Sequence, residues 1–142
     1  MGIQYIKKSM KKIISIMWAP VALFLINQTP FMDRIYAFEP RIDHLMHGLG
    51  GLAIAHMFHQ YVSATPSLIW WKKIPLLGQI VLLISFVMLF GVAWEWYEFL
   101  HDYFFNTHFQ LNNSDTMFDL LFDGIGGCIF SIKILYGEKR TK

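Results

Sequence analysis

The residues best equipped for catalysis or ligand binding are acidic, and they sit where an apolar chain has least use for them. Gly91-Val92-Ala93-Trp94-Glu95-Trp96-Tyr97-Glu98-Phe99-Leu100-His101-Asp102 closes a long hydrophobic run with three carboxylates. At 100° per residue, Glu95, Glu98 and Asp102 fall within ~60° of one helix face. Two further stretches repeat the arrangement: Asp43, His44 and His47 share an arc of ~100°, and Asp115, Asp119 and Asp123 one of ~80°. Carboxylates at i and i+3 or i+4 on neighbouring helices, with a histidine among them, are how helical bundles build metal centres. A mixed His, Asp and Glu set suits Zn²⁺, Mn²⁺ or Mg²⁺ rather than a soft metal. Such an ion polarises a phosphoryl or carbonyl oxygen and activates bound water. The expected ligands are His47, Glu95, Glu98, Asp119 and Asp123, and any catalysis is expected of Glu95, Glu98 and Asp119. Asp43, His44, Asp102 and Asp115 would stand behind them. No His-Glu-x-x-His motif is present.

These residues need elements to hold them, and the composition says which. The 142 residues are 55% hydrophobic, 17% aromatic and only 15% charged, with a mean hydropathy of +0.40. That is the profile of one small integral membrane domain, all-α, in a plasma or inner membrane. A formal charge of +2, with the basic residues in short end clusters, excludes nucleic acid as a partner and leaves membrane lipids. Cys128 is the only cysteine, so no intrachain disulfide forms.

Four spans are expected, at about 13–32, 43–62, 75–100 and 115–136. The first follows Lys7, Lys8, Lys11 and Lys12 and reads as a signal anchor, because Asn27-Gln28-Thr29-Pro30 offers no small-x-small cleavage site; Pro20 should kink it. A polar link, 33–41, leads to the second span, where Asp43 suits the positive end of the helix dipole. Trp70, Trp71, Lys72 and Lys73 mark an interface before the third. Ten Lys and Arg fall on the side of both termini, counting Lys133 with the basic tail Lys139-Arg140-Thr141-Lys142, against Arg34 and Arg41 on the other. Both termini are therefore expected in the cytoplasm, and all three acidic blocks converge on the outer half of the membrane.

There is an internal echo. Asp43-His44-Leu45-Met46-His47-Gly48-Leu49-Gly50-Gly51 and Asp119-Leu120-Leu121-Phe122-Asp123-Gly124-Ile125-Gly126-Gly127 share Asp-x-Leu-x-(His/Asp)-Gly-(Leu/Ile)-Gly-Gly, the mark of two helical hairpins related as a parallel repeat. Gly51 with Ala55, and Gly127 with Ser131, form small-xxx-small faces that let helix backbones approach. The second and fourth spans should therefore pack together and bring His47 beside Asp123.

Taken in order, Asp43-xxx-His47-xxx-Gly51, Glu95-xx-Glu98 and Asp115-Thr116-xx-Asp119-xxx-Asp123-xxx-Gly127 are similar to the pattern of the YjdF-type inner-membrane proteins, a group that looks related to the VanZ-like membrane proteins. The resemblance covers roughly residues 40–130. It implies an all-helical polytopic fold and, for VanZ-like relatives, a link to glycopeptide susceptibility at the cell envelope. It brings no catalytic mechanism.

Three readings of the cluster follow. A metal site facing the outer leaflet would meet a lipid-linked phosphate or head group. A transport or proton-relay path would need the chain to form a homo-oligomer, since four short spans are few and only His56 continues toward the cytoplasm. A structural polar network would simply lock the helices together. The carboxylates repel one another unless Arg34 and Arg41 reach in, protons are shared or a metal is present. His56 and His59 read as packing or interfacial residues, with His56 ~180° from His47 around the helix. Trp94 and Trp96 read as an aromatic belt or the lining of a lipid groove, and Asn112-Asn113-Ser114 matches a glycosylation acceptor. The charge count predicts that a reporter fused to the C-terminus is active only in the cytoplasm; external activity would reverse the shared outer placement of the three blocks.

Overall fold

Residues 2–139 are described in their backbone, and residues 10–134 in their side chains apart from 66 and 69, by a computed structural model. The tail 140–142 and the side chains of Lys7, Lys8 and Lys139, which the charge count uses, lie outside the described residues. Among the described residues are five α-helices, α1 (Gly2–Asn27), α2 (Pro30–Phe38), α3 (Ile42–Ala64), α4 (Leu76–Phe105) and α5 (Asn113–Lys139), with a 3₁₀ segment over Pro66–Lys73.

The helix boundaries depart from the expected spans for local reasons. Thr29 caps a new helix, its hydroxyl accepting the Met32 amide at 3.4 Å with Pro30 in the first turn. The stretch expected as one span over 13–32 is thus divided, and the expected polar link is a short amphipathic helix. Pro20 lies inside α1, which runs uninterrupted from Gly2 to Asn27. The third expected span continues to Phe105, where Asn106 takes a left-handed conformation (φ 52°) and its amide bonds back to Asp102. Among the described residues, two helices are long and apolar enough to cross a membrane, over Met10–Asn27 and Leu76–Phe105.

The contact between α3 and α5 is the most extensive in the molecule. It is made backbone to backbone. A methyl added at Gly126 would lie 2.1 Å from the Gly48 carbonyl oxygen, and one at Gly51 2.2 Å from that of Asp123. The expectation of close packing through small residues holds, but the register differs on α5: Gly126 meets α3, while Gly127 faces Val87 of α4 at 3.4 Å. One residue along a helix turns the side chain by 100°, so neighbouring glycines serve different partners. Below this contact, Ala55, Leu83, Val87 and Phe130 form the buried core.

At the same end His56 and His59 both meet the edge of Phe130, the packing role expected of them. Lys12 of α1 donates to the Ala64 carbonyl at the end of α3, which sets α1 antiparallel to α3. Large apolar side chains face outward instead, among them Ile14 and Trp18 on α1, Leu77 and Leu89 on α4, and Leu121 and Ile129 on α5. An outward apolar surface of this extent fits lipid rather than water.

Gly126→Ala is expected to cost about 1–3 kcal/mol by overpacking, read as lower thermal stability in detergent. Gly124→Ala, whose added methyl would meet only Met88 Sδ at 3.5 Å, should be neutral or slightly stabilising.

Candidate functional site

The α3–α5 contact sets two histidines of α3 against two aspartates of α5. His44 Nδ1 donates to Asp119 Oδ1 at 2.7 Å and His47 Nδ1 to Asp123 Oδ2 at 3.2 Å, at sequence separations of 75 and 76. The second of these separations is also the spacing of the echo, which sets His47 opposite its counterpart Asp123. Phe122 stacks on the His44 ring at 5.5 Å and holds its plane. On α4, Gly91 brings the backbone against the Asp123 carboxylate, where an added methyl would lie 2.4 Å from Oδ2. One turn further along α4, Glu95 faces His47.

With Nδ1 of His47 committed to Asp123, its Nε2 points the other way. Nε2 lies 3.8 Å from Glu95 Oε1 and 3.9 Å from Asp119 Oδ1. His47 Nε2 and Glu95 Oε1 are buried and have no hydrogen-bond partner, although both side chains are only 5% exposed. Unpaired buried polar atoms are rare in folded proteins and call for an explanation. Asp43, His47 and Asp119 each offer a ligand atom within 4.8 Å of the others, as do His44, Asp115 and Asp119.

The remaining acids are differently engaged. Glu98 is buried on the same face of α4, but its Oε1 accepts the Trp94 indole N–H at 2.7 Å. Glu95 Oε2 accepts from Gln110 Nε2 at 3.3 Å, and the same amide donates to Thr116 at 2.8 Å. Asp102 does not join the cluster. Its carboxylate accepts from the Thr107 hydroxyl at 2.6 Å and the amides of Phe109 and Gln110 at 2.8 and 2.9 Å, which organises the link and delivers Gln110 to Glu95. Asn112, read as a glycosylation acceptor, caps α5: its Oδ1 accepts the amides of Ser114 and Asp115 at 2.9 and 3.2 Å.

The structure therefore brings together His44, His47, Glu95, Glu98, Asp119 and Asp123, and sets Asp43 closer to His47 and Asp119 than a supporting place implies. Neither arginine neutralises them: Arg41 pairs with Glu39 at 2.8 Å on the surface and Arg34 is exposed. Gln110 carries no signal in the sequence, because a polar residue in an irregular link has no period, and Thr116, beside Asp115 in the third block, acquires its role only through Gln110. The Trp94 to Glu98 bond was readable as an i, i+4 pair. An apolar groove of about 350 Å³ runs beside the cluster between α1, α3 and α4 and reaches Asp43, His47 and Asp123.

Fold and site together define an all-helical membrane protein that encloses a centre of carboxylates and histidines. The chain belongs to the family described as "Predicted membrane protein (DUF2238)", whose model matches residues 9–140; this is the YjdF-type family, and the match takes in α1 as well as the three blocks. No curated protein and no solved structure matches the chain.

Trp94→Phe removes the donor to a buried carboxylate and is expected to cost about 1–3 kcal/mol. Placing the same change on Glu98→Gln should cost less than the two single losses summed, as a double-mutant cycle in thermal unfolding would read. Additive losses would mean that the two side chains do not interact.

Proposed function

We propose that His47, Glu95, Asp119 and Asp43 hold a divalent cation, Zn²⁺, Mn²⁺ or Mg²⁺, for binding or chemistry at a lipid-linked phosphate. The observation that carries this is the pair of orphaned atoms, His47 Nε2 and Glu95 Oε1, 3.8 Å apart. Ligands bound to one ion at ordinary Zn–N and Zn–O lengths stand ~3.4 Å apart in a tetrahedral site, so these atoms need to close by only a few tenths of an ångström. Asp123 on the far nitrogen of His47 fixes the tautomer that leaves Nε2 able to ligate, the usual carboxylate–histidine support of metal sites. His44 restrains Asp119 in the same way. A cation also resolves the repulsion among five carboxylates that no lysine or arginine relieves. When bound, it would polarise a phosphoryl oxygen; Gln110 and Trp94 would keep Glu95 and Glu98 in place.

The excess of Lys and Arg at the ends supports an arrangement of four spans with both termini in the cytoplasm and the cluster toward the outer leaflet. The order of the three blocks supports a relation to VanZ-like proteins and a role at the cell envelope. The competing account is a structural network, favoured by the partners that His44, Glu98 and Asp123 already have.

Elemental analysis of the purified protein decides between them. Near-stoichiometric metal is expected in the wild type, lost in Asp119→Asn and held 10–100-fold more weakly in Asp123→Asn, with chelation lowering the melting temperature. No metal in the wild type, together with a lowered thermal stability of Asp119→Asn because its bond to His44 is weakened, would establish the network instead.

A further inference from the structure

We infer that the groove beside the cluster takes the single hydrocarbon chain of an amphiphile whose phosphate head lies at Asp43 and His47. This rests on the cation reading of the cluster, because an anionic head is repelled by the carboxylates unless a cation stands between them.

The groove has a polar end and an apolar length. Along α3 its lining runs from Asp43 and His47 through Gly50 and Ile54 to Met57, which at 1.5 Å per residue is about 21 Å. That is some two-thirds of the ~30 Å hydrocarbon layer, so a chain lying in it points along the helices as membrane chains do. The polar lining residues Asn27, Asp43, His47 and Asp123 fall at one end. There Tyr36 donates to Asn27 Oδ1, which leaves the amide NH₂ of Asn27 to donate to a head group. His47, the buried side chain with an unpartnered nitrogen, forms part of the same wall.

The mouth opens sideways. Val21 and Phe24 of α1 and Phe90 of α4 line the groove and are still 43%, 44% and 41% exposed, so a chain can enter from the bilayer without leaving it. A volume near 350 Å³ sits at the bottom of the ~300–1,000 Å³ range of small-molecule pockets. It is room for one hydrocarbon chain, the occupancy inferred. Trp94 closes the head end, with its ring edge on Phe24 at 5.9 Å and its N–H on Glu98.

The test uses the full chain in phosphatidylcholine nanodiscs and dodecyl phosphate bearing a terminal diazirine. Photolabelling is expected on the segments around Met17, Ile54 and Met57, competed about tenfold better by plain dodecyl phosphate than by dodecanol or two-chain phosphatidic acid. Two variants fill the groove without touching the core: Val21→Trp at the mouth, and Gly50→Leu, where an added methyl would meet only Asp123 Oδ1 at 3.9 Å. Both should lose labelling about tenfold and keep their metal. In Asp119→Asn the groove should still be labelled, but with phosphate no longer favoured over the alcohol. Labelling of the groove in wild type without preference for phosphate would overturn the head assignment, whereas the cation reading stands or falls with the metal analysis. Labelling no stronger there than on the outward face of α5 around Leu121 and Ile125, or unaffected by Val21→Trp, would overturn the groove assignment whatever the metal analysis gives.

Discussion

Everything at the centre of this protein depends on how closely two helix backbones approach. Lipid tails are as apolar as leucine, so helices in a membrane gain little by hiding apolar side chains from them and associate through close packing and polar contacts. Gly51 and Gly126 remove the side chains that would hold α3 and α5 apart. At the resulting separation short side chains suffice to reach across: His44 meets Asp119 and His47 meets Asp123. With larger residues at the crossing, the same four groups would face one another without touching. Gly91 does for α4 what Gly51 does for α3, letting the Asp123 carboxylate lie against its backbone.

The second constraint is charge. Asp119 is 1% exposed and Glu95 4%, and a carboxylate inside the membrane is costly unless it is partnered. Partners are supplied in layers. The histidines of α3 meet the aspartates, the Trp94 indole meets Glu98, and the link after α4 sends Gln110 to Glu95. Asp102 lies outside the cluster yet contributes to it, since its grip on the amides of residues 109 and 110 shapes that link. What the layers leave over is one histidine nitrogen and one glutamate oxygen, side by side.

Much of this was legible in the sequence because helices impose a period. The shared face of Glu95 and Glu98, the placement of Asp119 and Asp123, and the meeting of His47 with Asp123 all follow from 100° per residue and from the matching Asp-x-Leu-x-x-Gly stretches. The register of Gly126 against Gly127 did not follow, because the choice between adjacent glycines depends on the third helix, α4. The division of the first span at Thr29 is written in a local cap that a hydropathy run does not register. Asp102 shares the helical phase of Glu95 and Glu98, but it lies at the end of α4, where the chain's own amides compete for a carboxylate. Gln110 was invisible for a related reason: its position is set by the turn around Asp102, not by any period.

The uneven polarity of the helices bears on how the molecule comes to exist at all. α4 is long and apolar enough to cross a bilayer, whereas an aspartate at the centre of a membrane helix opposes insertion by about 2.5–3.5 kcal/mol, and Asp123 lies near the middle of α5. α5 also follows α3 and α4 along the chain. Its aspartates find their partners only beside His44 and His47, so their burial has to coincide with the docking of α5 against α3. The step that seats α5 is thus the step that assembles the centre: a chain that fails to form the site also leaves this helix stranded, exposed to the cell's quality control.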